Sequence, residues 1–119
     1  MKYAMLVYTD QSAWTDLSDE EAAKAREESM PGWNAVFGEL SRVDPAWDGK
    51  ELDAAVEART VRVRDGQTLV TDGPFAETKE QIGGLFVTDL ADLDEAIRLA
   101  SLIPAASDGS IEIRPLVEH

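Results

Sequence analysis

The stretch that decides the fold is residues 60–89, which read TVRVRDGQTLVTDGPFAETKEQIGGLFVTD. Valine alternates with arginine at its start, the pair Asp65-Gly66 follows, and a second β-prone run continues to Asp72. Asp-Gly between two such runs is a strong hairpin signal, because a type I′ turn requires positive φ at both central residues. The sequence therefore predicts a β-hairpin that closes with a two-residue loop.

That loop length also fixes which residues of the hairpin oppose one another. The expected pairs are Arg64 with Gln67, Val63 with Thr68, Val61 with Val70, and Arg59 with Asp72. Directly opposed side chains lie on one face of a sheet. We therefore expect Arg59 and Asp72 to lie with the valines, on the face that another layer covers.

The strand pattern then breaks at Asp72-Gly73-Pro74-Phe75. Glycine permits turn dihedrals, and proline fixes φ and lacks a backbone N–H, so neither is expected inside a sheet. Glu77, Lys79 and Glu80 follow before an apolar strand that opens with Gly83-Gly84, where we expect a bulge or a close backbone approach. Binding and catalytic residues concentrate in loops of this kind. The other interpretation is a surface loop whose charges have no specific role.

The segment from Asp72 to Gly84 resembles the signature of the DGPF-domain proteins, a branch of the YCII-related family. Residues 1–8, 92–96 and 109–115 resemble that family's first strand, the start of its second helix and its last strand. The resemblance implies a ferredoxin-like α+β fold, with an antiparallel sheet carrying two helices on one face and two copies forming a dimeric α+β barrel. Some YCII-type members use a proposed His–Asp pair, and this chain departs from them because its one histidine is His119.

Length and composition limit the classes of function. At 119 residues, the chain is expected to form one domain over residues 1–119. The absence of cysteine excludes thiol chemistry and fits a cytoplasmic protein. A net charge of −13 argues against binding to nucleic acid or to an anionic membrane surface. No apolar segment approaches the roughly 20 residues that a membrane helix needs.

The rest of the chain predicts strands and helices around the hairpin. The first expected elements are a strand over 2–8 that is apolar on both faces and a helix from Asp19 to Leu40, which Ser18 and Glu21 cap and which kinks or restarts at Pro31-Gly32. A loop over 43–51 and a short strand or extended arm over 52–56 follow. After the hairpin we expect a second helix capped by Asp92 and a last strand over 110–117.

Two helices cover only one face of such a sheet, whereas the first strand and Leu85-Phe86-Val87 are apolar on both faces. The most economical cover for the second face is the same face of a second copy. We therefore expect a homodimer. Because each chain carries a charge of −13, the two copies repel, and association should weaken at low salt.

Carboxylates are the remaining candidates for chemistry, because the residues indicate neither a metal site nor a cofactor site. Asp72 is the candidate catalytic base, although Arg59 beside it would lower its pKa and make it a structural anchor instead. The candidate ligand-binding residues are Arg59, Glu77, Lys79, Glu80 and Trp33.

The sequence thus favours a small-molecule-binding protein whose cleft lies near the loop at Asp72, and it leaves open whether a reaction occurs there. The alternative is a non-catalytic module that presents its acidic surface to a protein partner. A pocket that holds Asp72, Lys79 or Glu80 would favour the first function, and a flat acidic face over a filled core would favour the second.

Overall fold

A computed structural model describes residues 1–119 and shows an α+β fold built on a four-stranded antiparallel sheet. The strand order is β2-β5-β1-β6, which is compatible with a ferredoxin-like fold, and β3 and β4 form a separate two-stranded ribbon. The elements are β1 (Lys2–Asp10), α1 (Ser12–Thr15), α2 (Asp19–Val43), β2 (Asp48–Glu51), β3 (Arg59–Arg64), β4 (Gln67–Asp72), β5 (Glu80–Asp89), α3 (Leu93–Leu102) and β6 (Ser110–Pro115).

Helix α2 confirms the predicted start and corrects the predicted interruption. Ser18 and Glu21 form the capping box, with reciprocal hydrogen bonds of 3.1 and 3.2 Å between side chain and backbone. The helix continues through Pro31-Gly32 and ends at Val43, so a restart at that point is wrong. At Gly32, a Cβ atom would lie 3.0 Å from the ring of Pro104, so glycine at this position lets the turn after α3 approach the helix closely.

The segment between α2 and the hairpin also differs from the expectation. Residues 48–51, predicted as a loop, form strand β2 at the edge of the sheet beside β5. Residues 52–56, predicted as a strand or extended arm, contain no strand and lead into a 3-10 turn at Ala55–Glu57. The sequence DGKE of β2 has no apolar alternation, so its strand conformation comes from pairing with β5 rather than from local preference.

The core lies between the sheet and the two longer helices. Met5, Val36, Leu40 and Leu99 are completely buried there. An aromatic cluster continues the core towards β2, and its members are Trp33, Phe37, Trp47 and Phe86, with ring centroids 5.5 to 6.3 Å apart. Helices α2 and α3 therefore cover one face of the sheet, as predicted.

The second face of the sheet has no covering layer within the chain. We call it the open face, and its apolar members are Ala4, Leu6, Tyr8, Ile82, Leu85 and Val87, all of them half-buried. They alternate along the strands with the buried residues of the helix face, so the prediction of a strand that is apolar on both sides is confirmed. The apolar members come from the central strands β1 and β5, and the edge strands add Asp48, Lys50, Ser110, Glu112 and Arg114 to the same face. An uncovered apolar centre with a charged border favours association.

The ribbon of β3 and β4, residues 59–72, projects from the body, and we call it the arm. Its six residue pairs are those predicted, from Arg59 with Asp72 at the base to Arg64 with Gln67 beside the turn. Asp65 and Gly66 have the positive φ values, 52° and 74°, that the two-residue turn requires. The predicted cover over the valine face is absent within the chain, because Val61 and Val63 are each 60% exposed.

Candidate functional site

The first predicted site pair lies at the base of the arm. Arg59 Nε is 3.1 Å from Asp72 Oδ1, and the Asp72 side chain is 89% exposed. The guanidinium also donates a hydrogen bond of 2.8 Å to the carbonyl of Ala58. The structure therefore brings Arg59 and Asp72 together as predicted, but at the surface rather than on a covered face.

The loop after Asp72 is held to the chain at both ends. The Gly73 N–H donates to the carbonyl of Ala58 over 2.8 Å, and the Thr60 hydroxyl donates to the carbonyl of Gly73 over 2.9 Å. At the other end, Gln81 Nε2 donates to the carbonyls of Ala76 and Thr78 over 2.9 and 3.0 Å. These bonds fix where the loop, residues 73–79, delivers the chain into β5.

The double glycine in β5 gives both features that the sequence predicted. The pairing of β1 with β5 shifts between Val7 and Tyr8, which leaves Gly83 as a bulge residue. A Cβ atom on Gly84 would lie 3.1 Å from the carbonyl oxygen of Lys50, so the neighbouring backbone approaches closely there. The bulge re-aims the start of β5, so that Ile82 and Glu80 lie on the open face with Tyr8.

Hydroxyl and carboxylate groups meet at this end of the open face. The Tyr8 hydroxyl donates to Glu112 Oε1 over 3.2 Å, and the Ser110 hydroxyl donates to Glu80 Oε2 over 3.0 Å. Tyr8 lies opposite Ser110 across the β1–β6 pairing, so the two bonds are neighbours. We call this group the rim cluster, and its members are Tyr8, Glu80, Ser110, Glu112 and Arg114.

The electrostatics of the rim cluster keep its tyrosine protonated. Burial raises the pKa of Tyr8, and the hydrogen bond to the Glu112 carboxylate and its negative charge raise it further. Arg114 Nε lies 3.1 Å from Glu112 Oε2 and offsets part of that negative charge. At neutral pH the cluster thus offers a neutral phenol, a free serine oxygen and two carboxylates to any molecule that settles there.

The predicted ligand-binding residues do not converge on one place. Glu80 belongs to the rim cluster. Lys79 is exposed, and its positive charge contributes to lowering the pKa of Asp10, after the larger effect of the hydrogen bonds from Ser12. Glu77 is exposed in the loop, whereas Trp33 packs in the aromatic cluster on the helix side of the sheet. The structure therefore groups Glu80 with residues that the sequence analysis missed.

The missed residues are Tyr8, Ser110, Glu112 and Arg114. Strand alternation already places Tyr8 on the same face as Ala4 and Leu6. The hydroxyl of a tyrosine at the end of an apolar strand face was therefore a signal that the sequence contained. The others depend on the pairing of β6 with β1, which joins chain segments about a hundred residues apart. Nothing local in the sequence reveals that pairing.

Two cavities lie away from the rim cluster. A groove of about 240 Å³ between α3 and β6 is lined mainly by apolar side chains, including Ile97, Ile111 and Ile113. A polar cavity of about 150 Å³ lies beside Asp44, Thr88 and Asp89. Neither contains the predicted residues Asp72, Lys79 or Glu80. No three His, Cys, Asp or Glu side chains come together as a metal-binding group.

Comparisons with known proteins extend over the whole chain. The family model described as the YCII-related domain matches residues 1–119. An uncharacterised protein of Rhizobium meliloti (strain 1021) is 38% identical over 121 residues, which cover 98% of this chain and 92% of that protein. No helix in this chain combines the length and the apolar character needed to span a membrane.

Proposed function

The chain belongs to the YCII-related family, and we propose that it acts as a homodimer that binds a small organic molecule at the rim cluster. In this proposal the open faces of two copies pack together, which would close the two sheets into a dimeric α+β barrel. The observation that carries the proposal is the Tyr8–Glu112 hydrogen bond on an uncovered sheet face whose two central strands are apolar.

The exposed area of the single chain supports the dimer. The accessible surface is 8211 Å², and only 13 of the 119 residues are buried. A compact monomer of this mass should expose about 6,300 Å², so the excess is on the order of 1,900 Å². A stable interface of standard size needs about 800 Å² from each partner. The excess is therefore large enough to supply one.

The make-up of the open face supports the ligand site. Small-molecule sites combine an apolar lining with a few converging polar groups, which is what Leu6, Ile82 and Leu85 provide next to the rim cluster. The two carboxylates accept hydrogen bonds, and the neutral phenol of Tyr8 both donates and accepts. The proposed ligand is therefore an organic molecule that carries hydroxyl or amine donors.

Acid–base catalysis is part of the same proposal. Ser110 occupies one carboxylate oxygen of Glu80, and the other accepts no hydrogen bond from the protein. A carboxylate within reach of a bound hydroxyl group is positioned to act as a general base. Glu80, the first residue of β5, is thus the proposed general base. The catalytic role of Asp72, which lies where the arm joins the body, stays a separate prediction.

A second candidate function is a non-catalytic acidic interaction module. The first half of α2 favours it, because none of its residues is buried and it presents Asp19, Glu20, Glu27 and Glu28 to solvent. A basic protein would then bind at this helix rather than at the rim cluster.

A thermal-shift screen against metabolites at several pH values tests the ligand site. We expect hydroxyl- or amine-bearing compounds to raise the Tm of the parent. Each hydrogen bond to a charged group that is lost should weaken affinity about tenfold. Tyr8→Phe and Glu112→Gln should therefore shrink the shift, while Glu28→Gln, a charge-matched control outside the cluster, should keep it.

Two further variants separate the rim cluster from the residues that the sequence indicated. Asp72→Asn and Lys79→Ala should leave the ligand-induced shift unchanged if the rim cluster holds the molecule. A parent that no compound stabilises would contradict the proposal. So would a shift that disappears in Asp72→Asn but survives in Tyr8→Phe and Glu112→Gln.

A further inference from the structure

The end of the open face that carries the rim cluster has unbalanced charge. Asp10 lies directly opposite Glu80 in the pairing of β1 with β5, two residues beyond Tyr8 along β1, so both carboxylates lie on the open face. Like charges directly opposite one another destabilise an antiparallel pair. Neither carboxylate forms an ion pair with a lysine or an arginine. A positive charge placed between them would therefore be stabilised.

The two cations nearby do not neutralise this end of the face. Arg114 Nε lies 3.1 Å from Glu112 Oε2, so it is paired with a third carboxylate. Lys79 is exposed, and its positive charge acts on Asp10, but it forms no ion pair. Three carboxylates thus meet two cations, and one negative charge stays unbalanced.

Both opposed carboxylates also keep one oxygen free. Ser12 donates its backbone N–H and its hydroxyl to Asp10 Oδ1, over 3.0 and 2.6 Å, and no group of the protein donates to Oδ2. Glu80 likewise accepts one hydrogen bond, at Oε2. The Tyr8 hydroxyl gives its hydrogen to Glu112, and its oxygen keeps its lone pairs. Three free acceptors therefore lie at neighbouring positions of two paired strands.

These acceptors match an ammonium group in number and in charge. An ammonium has three N–H donors and no acceptor, whereas a hydroxyl has one donor and no charge. A cation is also attracted to the face of an aromatic ring such as that of Tyr8. A metal ion is a poorer match, because no third His, Cys, Asp or Glu side chain joins the opposed pair. The features of this end of the face therefore favour an organic cation.

Apolar side chains lie next to the acceptors. Ile82 lies opposite Tyr8, and Leu6 lies two residues before Tyr8 on β1, with Leu85 opposite it. All three apolar side chains are half-buried. A ligand whose charged group lies at the carboxylates thus has a hydrocarbon surface beside it, which fits an ammonium group attached to an apolar body.

We propose that the ligand of the rim cluster is a primary amine in its cationic form. Its ammonium group binds Asp10, Glu80 and the Tyr8 hydroxyl, and its hydrocarbon part lies on Ile82 and Leu6. The inference rests on the ligand site proposed above, adds Asp10 to that site, and narrows the ligand from hydroxyl or amine donors to an ammonium ion. The net charge of −13 would also attract cations to the molecule.

Two matched pairs of compounds test the charge of the ligand. Phenethylamine and phenethyl alcohol, and hexylamine and hexanol, share their carbon skeletons and differ in carrying an ammonium or a hydroxyl group at neutral pH. We expect each amine to raise the Tm of the parent and, by titration calorimetry, to bind at least tenfold more tightly than its alcohol, because the alcohol loses a hydrogen bond between charged groups.

Two aspartate variants separate the opposed pair from the general acidity of the chain. Asp94 is an exposed residue of α3 without an ion pair, and Asp94→Asn removes the same charge as Asp10→Asn does. We expect Asp10→Asn to weaken the binding of each amine about tenfold and to leave the alcohols unchanged, while Asp94→Asn stays within about twofold of the parent. Glu80→Gln should match Asp10→Asn without touching the hydrogen bonds of Ser12.

The remaining outcomes contradict the inference in distinguishable ways. Equal affinities for amines and alcohols, or equal effects of the two aspartate variants, would overturn the amine assignment. The ligand site itself would stand if Tyr8→Phe then weakened the alcohols. If no amine, no alcohol and no compound of the metabolite screen bound, both proposals would fail. Stabilisation by calcium chloride alone that Asp10→Asn abolishes would assign the opposed pair to a metal ion instead.

Discussion

The four-stranded sheet and the arm share a pattern of alternating apolar side chains, but those side chains are buried in the sheet and exposed in the arm. Met5 and Val7 of β1 alternate with neighbours much as Val61 and Val63 of β3 do, yet the first two are buried and the second two are 60% exposed. The difference is the layer that packs on each. Helices α2 and α3 cover one face of the sheet, and nothing in the chain covers the arm.

This contrast teaches that alternation specifies which side chains share a face but not what buries them. In the body the covering layer comes from the same chain. On the open face and on the arm, no layer of the same chain packs. Substitutions in the body should therefore cost more stability than matched substitutions in the arm.

The largest contrast should come from two leucine truncations. Leu99 is completely buried between α3 and the sheet, so Leu99→Ala should lower the free energy of unfolding by about 2–5 kcal/mol through lost burial and the cavity it leaves. Leu69→Ala, at a 47% exposed position in the arm, should cost less than about 1 kcal/mol. Urea denaturation of both variants measures the difference, and equal losses would contradict an unpacked arm.

Asp44 gives the next largest effect. One of its oxygens accepts hydrogen bonds from the Asp89 N–H and the Thr88 hydroxyl, and the other accepts from the Ala46 N–H. Because Thr88 is 1% exposed, Asp44→Ala leaves a buried hydroxyl without its partner and should cost about 1–3 kcal/mol.

The pH dependence of the Asp44 contribution has a definite sign. The backbone N–H of Asp89, followed by that of Ala46, lowers the pKa of Asp44 below its unfolded value. Its contribution to stability is therefore fully present above the unfolded pKa of about 3.9 and is lost as the pH falls through the lower folded value. Asp44→Asn should flatten the acid limb of stability against pH. An unchanged acid limb would contradict the role assigned to this carboxylate.

Two glycine substitutions should change the free energy of unfolding in opposite directions. Gly73, at the base of the arm, has a φ of 90°, so Gly73→Ala should destabilise the fold by about 1 kcal/mol through backbone strain. Gly38 lies in helix α2 with open space around it, so Gly38→Ala should stabilise the protein by about 0.5–1 kcal/mol. Thermal unfolding of the two variants measures both effects. A Gly73→Ala protein as stable as the parent would show that the arm base relaxes freely.

The smallest effect is expected at Asp72. Its ion pair with Arg59 is exposed, and exposed ion pairs contribute between 0 and about 1 kcal/mol. Asp72→Ala should therefore change the free energy of unfolding much less than Asp44→Ala does. Chemical denaturation of the two aspartate variants side by side checks this, and a comparable loss would mean that the arm base is buried by a partner in solution.

Much of the fold could be predicted from local chemistry. The Asp65-Gly66 turn set the register of the arm correctly, and the Ser18 and Asp92 caps began their helices where expected. Strand β2 could not be predicted, because its sequence has no apolar pattern and its conformation depends on β5. The uninterrupted helix at Pro31 was missed because a local rule about proline takes no account of the second half of α2, where Val36 and Leu40 anchor the helix in the core.

The candidate site was less accessible from sequence. Glu80 was selected because it follows the break at Asp72, and the structure places it among the rim residues. Its neighbours Ser110 and Glu112 come from the last strand, which only the tertiary pairing brings beside β1. Trp33 was selected as an aromatic residue that could line a pocket, and its ring packs on Phe37 and Phe86.

Sedimentation equilibrium of the parent chain across a salt series tests directly whether a second copy covers the open face. We predict twice the 13.0 kDa mass of one chain at moderate salt, with dissociation increasing as the salt concentration falls. Leu85→Arg, which places a charge in the middle of the open face, should sediment as a single chain. A parent that stays at the mass of one chain at every concentration and every salt level would contradict the proposed dimer.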